Sequence, residues 1–392
     1  MRAPATVAAL VLVVHVAWIG LVLARGFEAR DFIGLGSHWI TMAPQGHGIA
    51  IDPGYHYVAN GIGYDGQWSY FIAVDPGGAA AHIDGPTYRY GRILYPLLAR
   101  AVALGRVEWV PAALIAVNLA AVAVGTLALA AWLRSQGVSP WAAAVFGLYP
   151  GIVIGLHRDL TEPVAYSLCA VAAWALAQKW RGAAVAAGAL FGLAVLAREV
   201  AAVFPLVYGA TALARATAAR RPQPAYEGLA LLLLGLLPFA AWELYLQHWL
   251  GPLNTGQAAQ FARLPFGGFW GARPWHVTHL RDVATVIAPG VVAGAAAVVM
   301  LRRAASRPEP WLLLANVLLF VVFLPPQSYV DPVAAPRVAI GVVLAGVLCL
   351  PAARTVLRSQ AWFAVAAVLW LSTLPLTLVL NLFDHPAGLV RV

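Results

Sequence analysis

The chain has 392 residues, of which 61% are hydrophobic and only 10% are charged, with a formal net charge of +9 at pH 7. Soluble domains carry roughly a quarter of their residues as charged side chains, so this composition excludes a soluble protein and indicates an integral membrane protein. The basic residues are scattered between apolar runs, which excludes a nucleic-acid-binding protein and indicates that they orient the chain in a bilayer.

Apolar runs long enough to cross a membrane, about 17–25 residues each, recur along the whole chain. We predict spans near residues 5–24, 108–133, 140–157, 161–178, 228–250, 283–301, 311–325, 336–351 and 361–381. We interpret the first run as a retained span, because no small-x-small cleavage pattern stands out after it. The stretch 182–214 is too long for one upright helix and has Arg198-Glu199 at its middle. We therefore predict two short spans that turn at this dipeptide.

The orientation follows from the short loops that this reading places on one side. They hold eleven basic residues, namely Arg134, Lys179, Arg181, Arg215, Arg220, Arg221, Arg302, Arg303, Arg307, Arg354 and Arg358, against the acids Glu227 and Glu309. By the positive-inside rule, these loops and the N-terminus are cytoplasmic. The prediction is an all-α polytopic membrane protein of about eleven transmembrane helices, a single domain over 1–392 without a soluble domain. Its two long extracytoplasmic loops are 25–107 and 251–282, and the other acids lie at that outer face.

The first long loop begins with an acid close to the membrane surface. Asp31 follows the first span by only a few residues. A carboxylate at this depth could take a proton from a hydroxyl whose reaction partner is anchored in lipid. An ordinary solvated interfacial charge is the alternative, so Asp31 is a candidate catalytic residue.

A second candidate acid, Asp65, lies in the string Tyr64-Asp65-Gly66-Gln67-Trp68. The glycine permits close approach of the backbone, the glutamine can hydrogen-bond to sugar hydroxyls, and the tryptophan offers a flat apolar face. A plain Asp-Gly turn is the alternative. A short helix is predicted from Asp65 to Val74, and an interfacial amphipathic helix from Thr87 to Leu104.

Charged pairs mark three further places on the outer face. Asp84 is interpreted as a helix cap, and Arg89 and Arg92, one turn apart, as phosphate ligands or as side chains that reach headgroups. The spacing of Asp159 and Glu162 is that of a capping box, which leaves Arg158 as an outward cation at membrane depth that needs a partner. Arg198 and Glu199 are predicted to line a polar cavity, since burial of both costs free energy unless they pair.

The 251–282 loop combines arginines, including Arg273, with Trp270 and Trp275. We predict that arginines bind a lipid phosphate there and that tryptophans contact a sugar ring or headgroups. The spacing His276-x-x-His279-x-x-Asp282 could hold a metal on one helical face, but this signal is weak. No metal site or certain cofactor is assigned, and a divalent cation stays open.

These strings resemble the GT-C superfamily of integral membrane glycosyltransferases, in particular bacterial mannosyltransferase-like members and cell-surface glycopolymer formation proteins. In those proteins an Asp-Phe after the first span, a Tyr-Asp-Gly-Gln-aromatic string and an Arg-x-Leu-Tyr-Pro string recur. They match Asp31-Phe32, Tyr64 to Trp68 and Arg92 to Pro96 here, and the element 158–163 is similar to the same pattern. The architecture resembles the superfamily over essentially the whole chain, whereas these motifs cover its first half. No Asp-x-Asp pair occurs in the first loop, which departs from the pattern and weakens the case for a required metal.

The resemblance implies transfer of a sugar, with inversion, from a polyprenyl-phosphate-linked donor to an extracytoplasmic glycan or lipid-linked acceptor. It implies a bacterial-type cytoplasmic membrane, with membrane lipids as further partners; the scattered basic residues already exclude nucleic acid as a partner. Asp31 or Asp65 would be the general base, and Asp31 is favoured because it lies closest to the first span. An arginine such as Arg158 or Arg198 would neutralise the departing lipid phosphate. The expected donor- and acceptor-binding residues are Tyr64, Gln67, Trp68, Asp84, Arg89, Arg92, Arg158, Asp159, Glu162, Arg198, Glu199, Arg273 and His276.

Two other functions stay open at this point. A flippase or transporter of lipid-linked saccharides would place its ionisable groups near the bilayer midplane, where Glu243 is the main charge within a span. A polymerase or ligase of lipid-linked saccharides would depend on outer-face arginines more than on Asp31 and Asp65. Substitution of each residue type therefore distinguishes a polymerase or ligase from a glycosyltransferase.

Overall fold

The computed structural model describes residues 2–36, 61–178, 180–219, 222–253 and 260–383. The structure is 79% helical and no strand forms in these ranges, which confirms the predicted all-α class. In chain order the α-helices are α1 (Arg2–Ala24), α2 (Gly66–Val74), α3 (Pro86–Tyr90), α4 (Leu94–Val102), α5 (Val110–Ser135), α6 (Ala143–Gly147), α7 (Pro150–His157), α8 (Glu162–Ala177), α9 (Ala183–Ala197), α10 (Val203–Ala219), α11 (Pro222–Leu250), α12 (Gly267–Gly271), α13 (Val277–Asp282), α14 (Ala288–Ala304), α15 (Pro308–Val317), α16 (Gln327–Val330), α17 (Ala334–Val338), α18 (Ile340–Leu348), α19 (Leu350–Val356), α20 (Ala361–Leu371) and α21 (Leu374–Phe383).

Six helical segments in the described ranges are long and apolar enough to cross a membrane, or up to eight if each of two bent helix pairs is one span. Three shorter apolar helices, Glu162–Ala177, Ala183–Ala197 and Pro308–Val322, lie where the sequence predicts further spans. The protein is therefore a multi-pass membrane protein. The count of about eleven spans and the orientation in the membrane stay predictions.

The chain reverses direction at Arg198-Glu199, as the sequence predicts. Helix α9 runs alongside α11 in the same direction, because Gly188 packs against Ala230 and Gly192 against Leu234 one turn later. Helix α10 runs the opposite way along α11, since Gly235 packs against Pro205 near the start of α10 and Gly228 against Gly209 further along. Small residues at these crossings let the backbones approach closely, which is how membrane helices associate.

The first loop contains the short helix predicted from Asp65 to Val74, which is α2. The predicted continuous helix from Thr87 to Leu104 is wrong, because the chain breaks at Gly91 between α3 and α4. A side chain at this glycine would approach Glu243 Oε1 of α11 to 2.8 Å. The break therefore lets the loop pack against α11, and it turns the adjacent Arg92 toward the start of α10.

Helices α8 and α9 position the region described next. Glu162 is the first residue of α8, and Arg198 directly follows the last residue of α9. The two helices run antiparallel through the core, so these residues lie at the same end of the helix pair. The first loop and the segment before α18 pack against this end.

Candidate functional site

The turn before α2 holds Asp65 against the chain segment that precedes α8. A Cβ at Gly66 would collide with the backbone carbonyl oxygen of Arg158, so only glycine fits there. The amide of Gln67 is used within the protein: Oε1 accepts from the N–H of Gly36 at 3.1 Å, and Nε2 donates to the carbonyl of Ile62 at 2.9 Å. These contacts fix the turn. Gln67 is buried, and its described contacts position Asp65.

The Asp65 carboxylate lies between two arginines from distant parts of the chain. Arg89 Nη1 donates to Oδ1 at 3.0 Å, and Arg337 Nη2 approaches Oδ2 at 3.3 Å. Burial alone would raise the pKa of Asp65, but Arg89 and Arg337 outweigh it and hold the pKa well below its usual range. The side chain keeps 34% exposure. Asp65 is therefore an ionised carboxylate at an opening rather than in the closed interior.

Glu162 is fully buried and contacts Arg337 and one further arginine, Arg198. Arg337 Nε donates to Glu162 Oε1 at 2.8 Å, and Arg198 Nη1 lies 3.1 Å from the same oxygen. The other carboxylate oxygen, Oε2, has no hydrogen-bond partner among the described residues. Arg337 consequently connects the carboxylates of Asp65 and Glu162, which lie on separate segments.

Arg92 and Glu199 form a two-pronged ion pair beside this group. Arg92 Nε and Nη2 donate to the two carboxylate oxygens of Glu199 at 3.0 and 2.8 Å. The Arg92 guanidinium also lies 4.6 Å from the ring centroid of Tyr88 and donates to its hydroxyl. Such a pair fixes the orientation of the guanidinium as well as its charge. Arg198 and Glu199 therefore each bind a different partner instead of each other.

Tyr64 connects the first loop to the segment before α17. Its hydroxyl donates to Asp331 Oδ2 at 2.8 Å and accepts from Arg337. The guanidinium carbons of Arg158 and Arg337 lie 4.9 and 5.2 Å from its ring centroid, in the range of cation–π contacts. Burial raises the pKa of Tyr64 above its usual range, so the hydroxyl stays protonated.

Asp65, Glu162 and the arginines that contact them surround a cavity of about 20 Å³, which has room for roughly one water molecule. Arg198 lines this cavity as predicted, whereas the prediction that Glu199 lines it is wrong, because Glu199 is held outside the lining by Arg92. The cavity is lined by Asp65, Trp68, Ser69, Ile72, Arg89, Arg92, Pro96, Leu160, Thr161, Glu162, Arg198 and Arg337.

Four arginines face two carboxylates in the cavity lining, and two of the arginines also pair with carboxylates outside it, Arg89 with Asp84 and Arg92 with Glu199. The described charges therefore balance, and the guanidinium groups supply hydrogen-bond donors that an anion can use. The aromatic face of Trp68 beside them suits an apolar or sugar surface.

Several predicted residues have other surroundings. Asp31 is buried, its Oδ2 accepts from the N–H of Glu28 at 2.7 Å, and it does not line the cavity. The prediction that Asp84 caps a helix is wrong, because the cap position of α3 is Gly85. Asp84 instead accepts a hydrogen bond from Arg89 at 2.8 Å. Arg273 and His276 are the predicted binding residues of the 251–282 loop. Both are exposed, and neither lines the cavity.

The capping box predicted from Asp159 and Glu162 is also wrong. The cap position of α8 is Thr161, without a side-chain cap bond, and Glu162 binds arginines instead. Asp159 has a φ of 49° and is completely buried. This burial raises its pKa well above the usual range.

One residue that lines the cavity, Arg337, is missing from the sequence-based candidates. Arg337 lies at the edge of the predicted span 336–351, and the apolar sequence around it leads to its assignment as part of the span. A lone arginine at membrane depth is itself a signal for a functional site, and that rule would have identified it.

The described residues contain no group of three or more His, Cys, Asp or Glu side chains arranged to hold a metal ion. In the 276–282 segment, His279 Nδ1 accepts from the backbone N–H of His276 at 3.0 Å, and Asp282 binds Arg281 at 2.9 Å. The two histidines are therefore joined by a hydrogen bond at the N-terminus of α13.

No protein-family model, no curated protein and no solved structure matches this chain.

Proposed function

We propose that this protein is a membrane glycosyltransferase that uses a polyprenyl-phosphate-linked sugar and transfers it to a glycan or lipid-linked acceptor. The observation that carries the proposal is the cavity in which the ionised Asp65 lies among Arg89, Arg92, Arg198 and Arg337. Glycosyl transfer from a lipid phosphate needs these two elements together. A carboxylate must take the proton of the acceptor, and cations must take up the charge of the departing phosphate.

In the proposed reaction the acceptor oxygen attacks the anomeric carbon and its proton passes to an oxygen of Asp65. The bond between the anomeric carbon and the phosphate oxygen breaks, and its electron pair stays on the lipid phosphate. Arg89 and Arg337 are placed to neutralise that charge, and attack from the opposite side inverts the anomeric centre.

Asp65 replaces Asp31 as the preferred base in this proposal. Asp65 lines the cavity and is partly exposed, whereas the Asp31 carboxylate is buried and accepts from the backbone of its own turn. The low pKa of Asp65 makes it a weak base, so its substitution should cost at most the roughly 10²–10⁴-fold that positioned acid–base catalysis contributes. The cavity must also widen to admit a sugar.

The test uses the purified full-length chain in lipid nanodiscs with a panel of labelled polyprenyl-phosphate sugars. The wild type is expected to release sugar from one donor, and Asp65→Asn to lose this turnover. Glu108→Gln, an exposed acid outside the cavity lining, should keep it as the matched control. Asp31→Asn compares the two candidate bases directly.

Other outcomes select the alternatives. If Asp65→Asn keeps full turnover while Arg89→Gln abolishes it, the chain is a polymerase or ligase of lipid-linked saccharides. If no donor is consumed while labelled lipid crosses the bilayer, the flippase reading replaces glycosyl transfer.

A further inference from the structure

The opposite end of the helix pair α8 and α9 contains a second cavity, of about 520 Å³. This volume falls in the range of sites that hold small molecules. Its wall includes Arg181 before α9, Arg215 of α10, Glu227 of α11 and Glu309 of α15. Two cations and two anions therefore face one space.

None of these four charged side chains forms an ion pair within 4.0 Å with another described residue. Arg215 Nε donates to the carbonyl of Thr211 in its own helix at 3.3 Å, and Glu227 Oε1 accepts from Gln223 at 3.3 Å. Arg215 and Arg307 act on Glu309 electrostatically from a longer distance, but no two of the four groups are in direct contact. This differs from the Asp65 cavity, where every carboxylate in the lining contacts an arginine.

An apolar groove of about 550 Å³ adjoins this cavity, and Arg215 lines both. The groove is walled mainly by small residues of α10, such as Ala210 and Ala214, together with Trp311 of α15. The Trp311 indole is held by a 2.9 Å hydrogen bond to the carbonyl of Ala305. A charged pocket that continues into an apolar groove matches an amphiphile with a polar headgroup and a hydrocarbon chain.

We propose that this cavity and groove bind an aminophospholipid with a phosphoethanolamine headgroup. Arg181 and Arg215 bind its phosphate, Glu227 and Glu309 bind its primary ammonium, and one acyl chain lies in the groove. A primary ammonium donates three hydrogen bonds to carboxylates, which a trimethylated ammonium cannot do. A headgroup with phosphate but no amine leaves both carboxylates without a counterion. The inference does not depend on glycosyl transfer.

The experiment reconstitutes the full-length protein in nanodiscs with equal amounts of phosphatidylethanolamine, phosphatidylcholine and phosphatidylglycerol of matched chains. Native mass spectrometry then counts each lipid class that stays bound. The wild type is expected to retain phosphatidylethanolamine preferentially. Arg215→Gln and Glu227→Gln should each reduce that retention at least about tenfold, the order expected for loss of one charge-assisted contact.

Three further variants keep the test sharp. Arg303→Gln removes an exposed arginine at the end of α14 that lines neither cavity, and it should retain the lipid as the wild type does. Arg215→Lys restores the charge and should recover most of the retention, which excludes misfolding as the cause of the loss. Ala214→Phe fills the groove and should lower retention without altering the charges.

The proposal is overturned if phosphatidylglycerol or phosphatidylcholine is retained as well as phosphatidylethanolamine. It is also overturned if Arg215→Gln and Glu227→Gln retain phosphatidylethanolamine like the wild type, or if Arg303→Gln loses it equally.

Discussion

The two ends of helices α8 and α9 hold charges under opposite conditions. At one end Glu162 is fully buried and contacts two arginines around a cavity of about 20 Å³. At the other end Glu227 and Arg215 line about 520 Å³ without forming an ion pair with any described residue. Buried charges that pair with each other fix a geometry, whereas charges that remain apart can bind a ligand. The difference predicts that substitutions at the first end cost stability and those at the second cost binding.

The largest expected effect follows from removal of Glu162. Glu162→Ala leaves Arg337 and Arg198 buried beside a lost partner, and we expect it to lower the free energy of unfolding by about 3–5 kcal/mol. Glu227→Ala should change it by less than about 0.5 kcal/mol. Denaturant titration of both variants in mixed micelles measures the difference. Equal losses would contradict the distinction between the two ends.

A smaller loss is expected at the turn that carries Asp65. Gly66→Ala forces a methyl group against the carbonyl of Arg158, and overpacking of this kind costs about 1–3 kcal/mol. The turn that holds Asp65 at the cavity should shift, so donor turnover should fall together with stability. Gly20→Ala in α1 is the control, because a Cβ there meets no atom within 4 Å. If the unfolding temperature falls equally in both variants, the close approach of the backbone at Gly66 does not contribute to stability.

Among the charged residues at the Glu162 end of the helix pair, the partly exposed Asp84 should contribute least to stability. Asp84 is 38% exposed where it binds Arg89. Asp84→Asn is expected to cost about 0.2–1 kcal/mol, as for exposed ion pairs. Arg89 keeps its contact with Asp65, so the same titration should show a near-native protein. A loss as large as that of Glu162→Ala would mean that Asp84 is essential for the orientation of Arg89.

A moderately acidic pH should leave the contribution of Asp65 to the free energy of unfolding unchanged. The folded pKa of Asp65 is depressed, so its stabilising contribution is complete above the unfolded pKa of about 4. It is lost as the pH falls through the lower folded value. The difference in unfolding free energy between wild type and Asp65→Asn should therefore stay constant from pH 7 to 5 and shrink below about pH 4. A difference that already shrinks near pH 6 would show that the arginines do not hold Asp65 ionised.

The sequence predicts much of the fold because its signals are local. The apolar runs, the short helix after Asp65 and the reversal at Arg198-Glu199 all depend on neighbouring residues. The pairing of charges depends on the tertiary structure: Arg92 meets Glu199, and Arg337 meets Glu162, only when distant helices pack. The spacing of Asp159 and Glu162 misleads for the same reason, since arginines from other segments compete with the helix end for Glu162.

The position of Arg337 in the chain has a consequence for biosynthesis. Glu162 is made 175 residues before the arginine that it binds. At about 5–20 residues per second, roughly 9–35 seconds of translation separate the two. During this interval Glu162 enters the membrane with Arg198 as the earlier of its two arginine partners. The arrival of the segment before α18 therefore completes the charge balance, and a nascent chain that stalls before it would expose an incompletely paired acid to the cell's quality control.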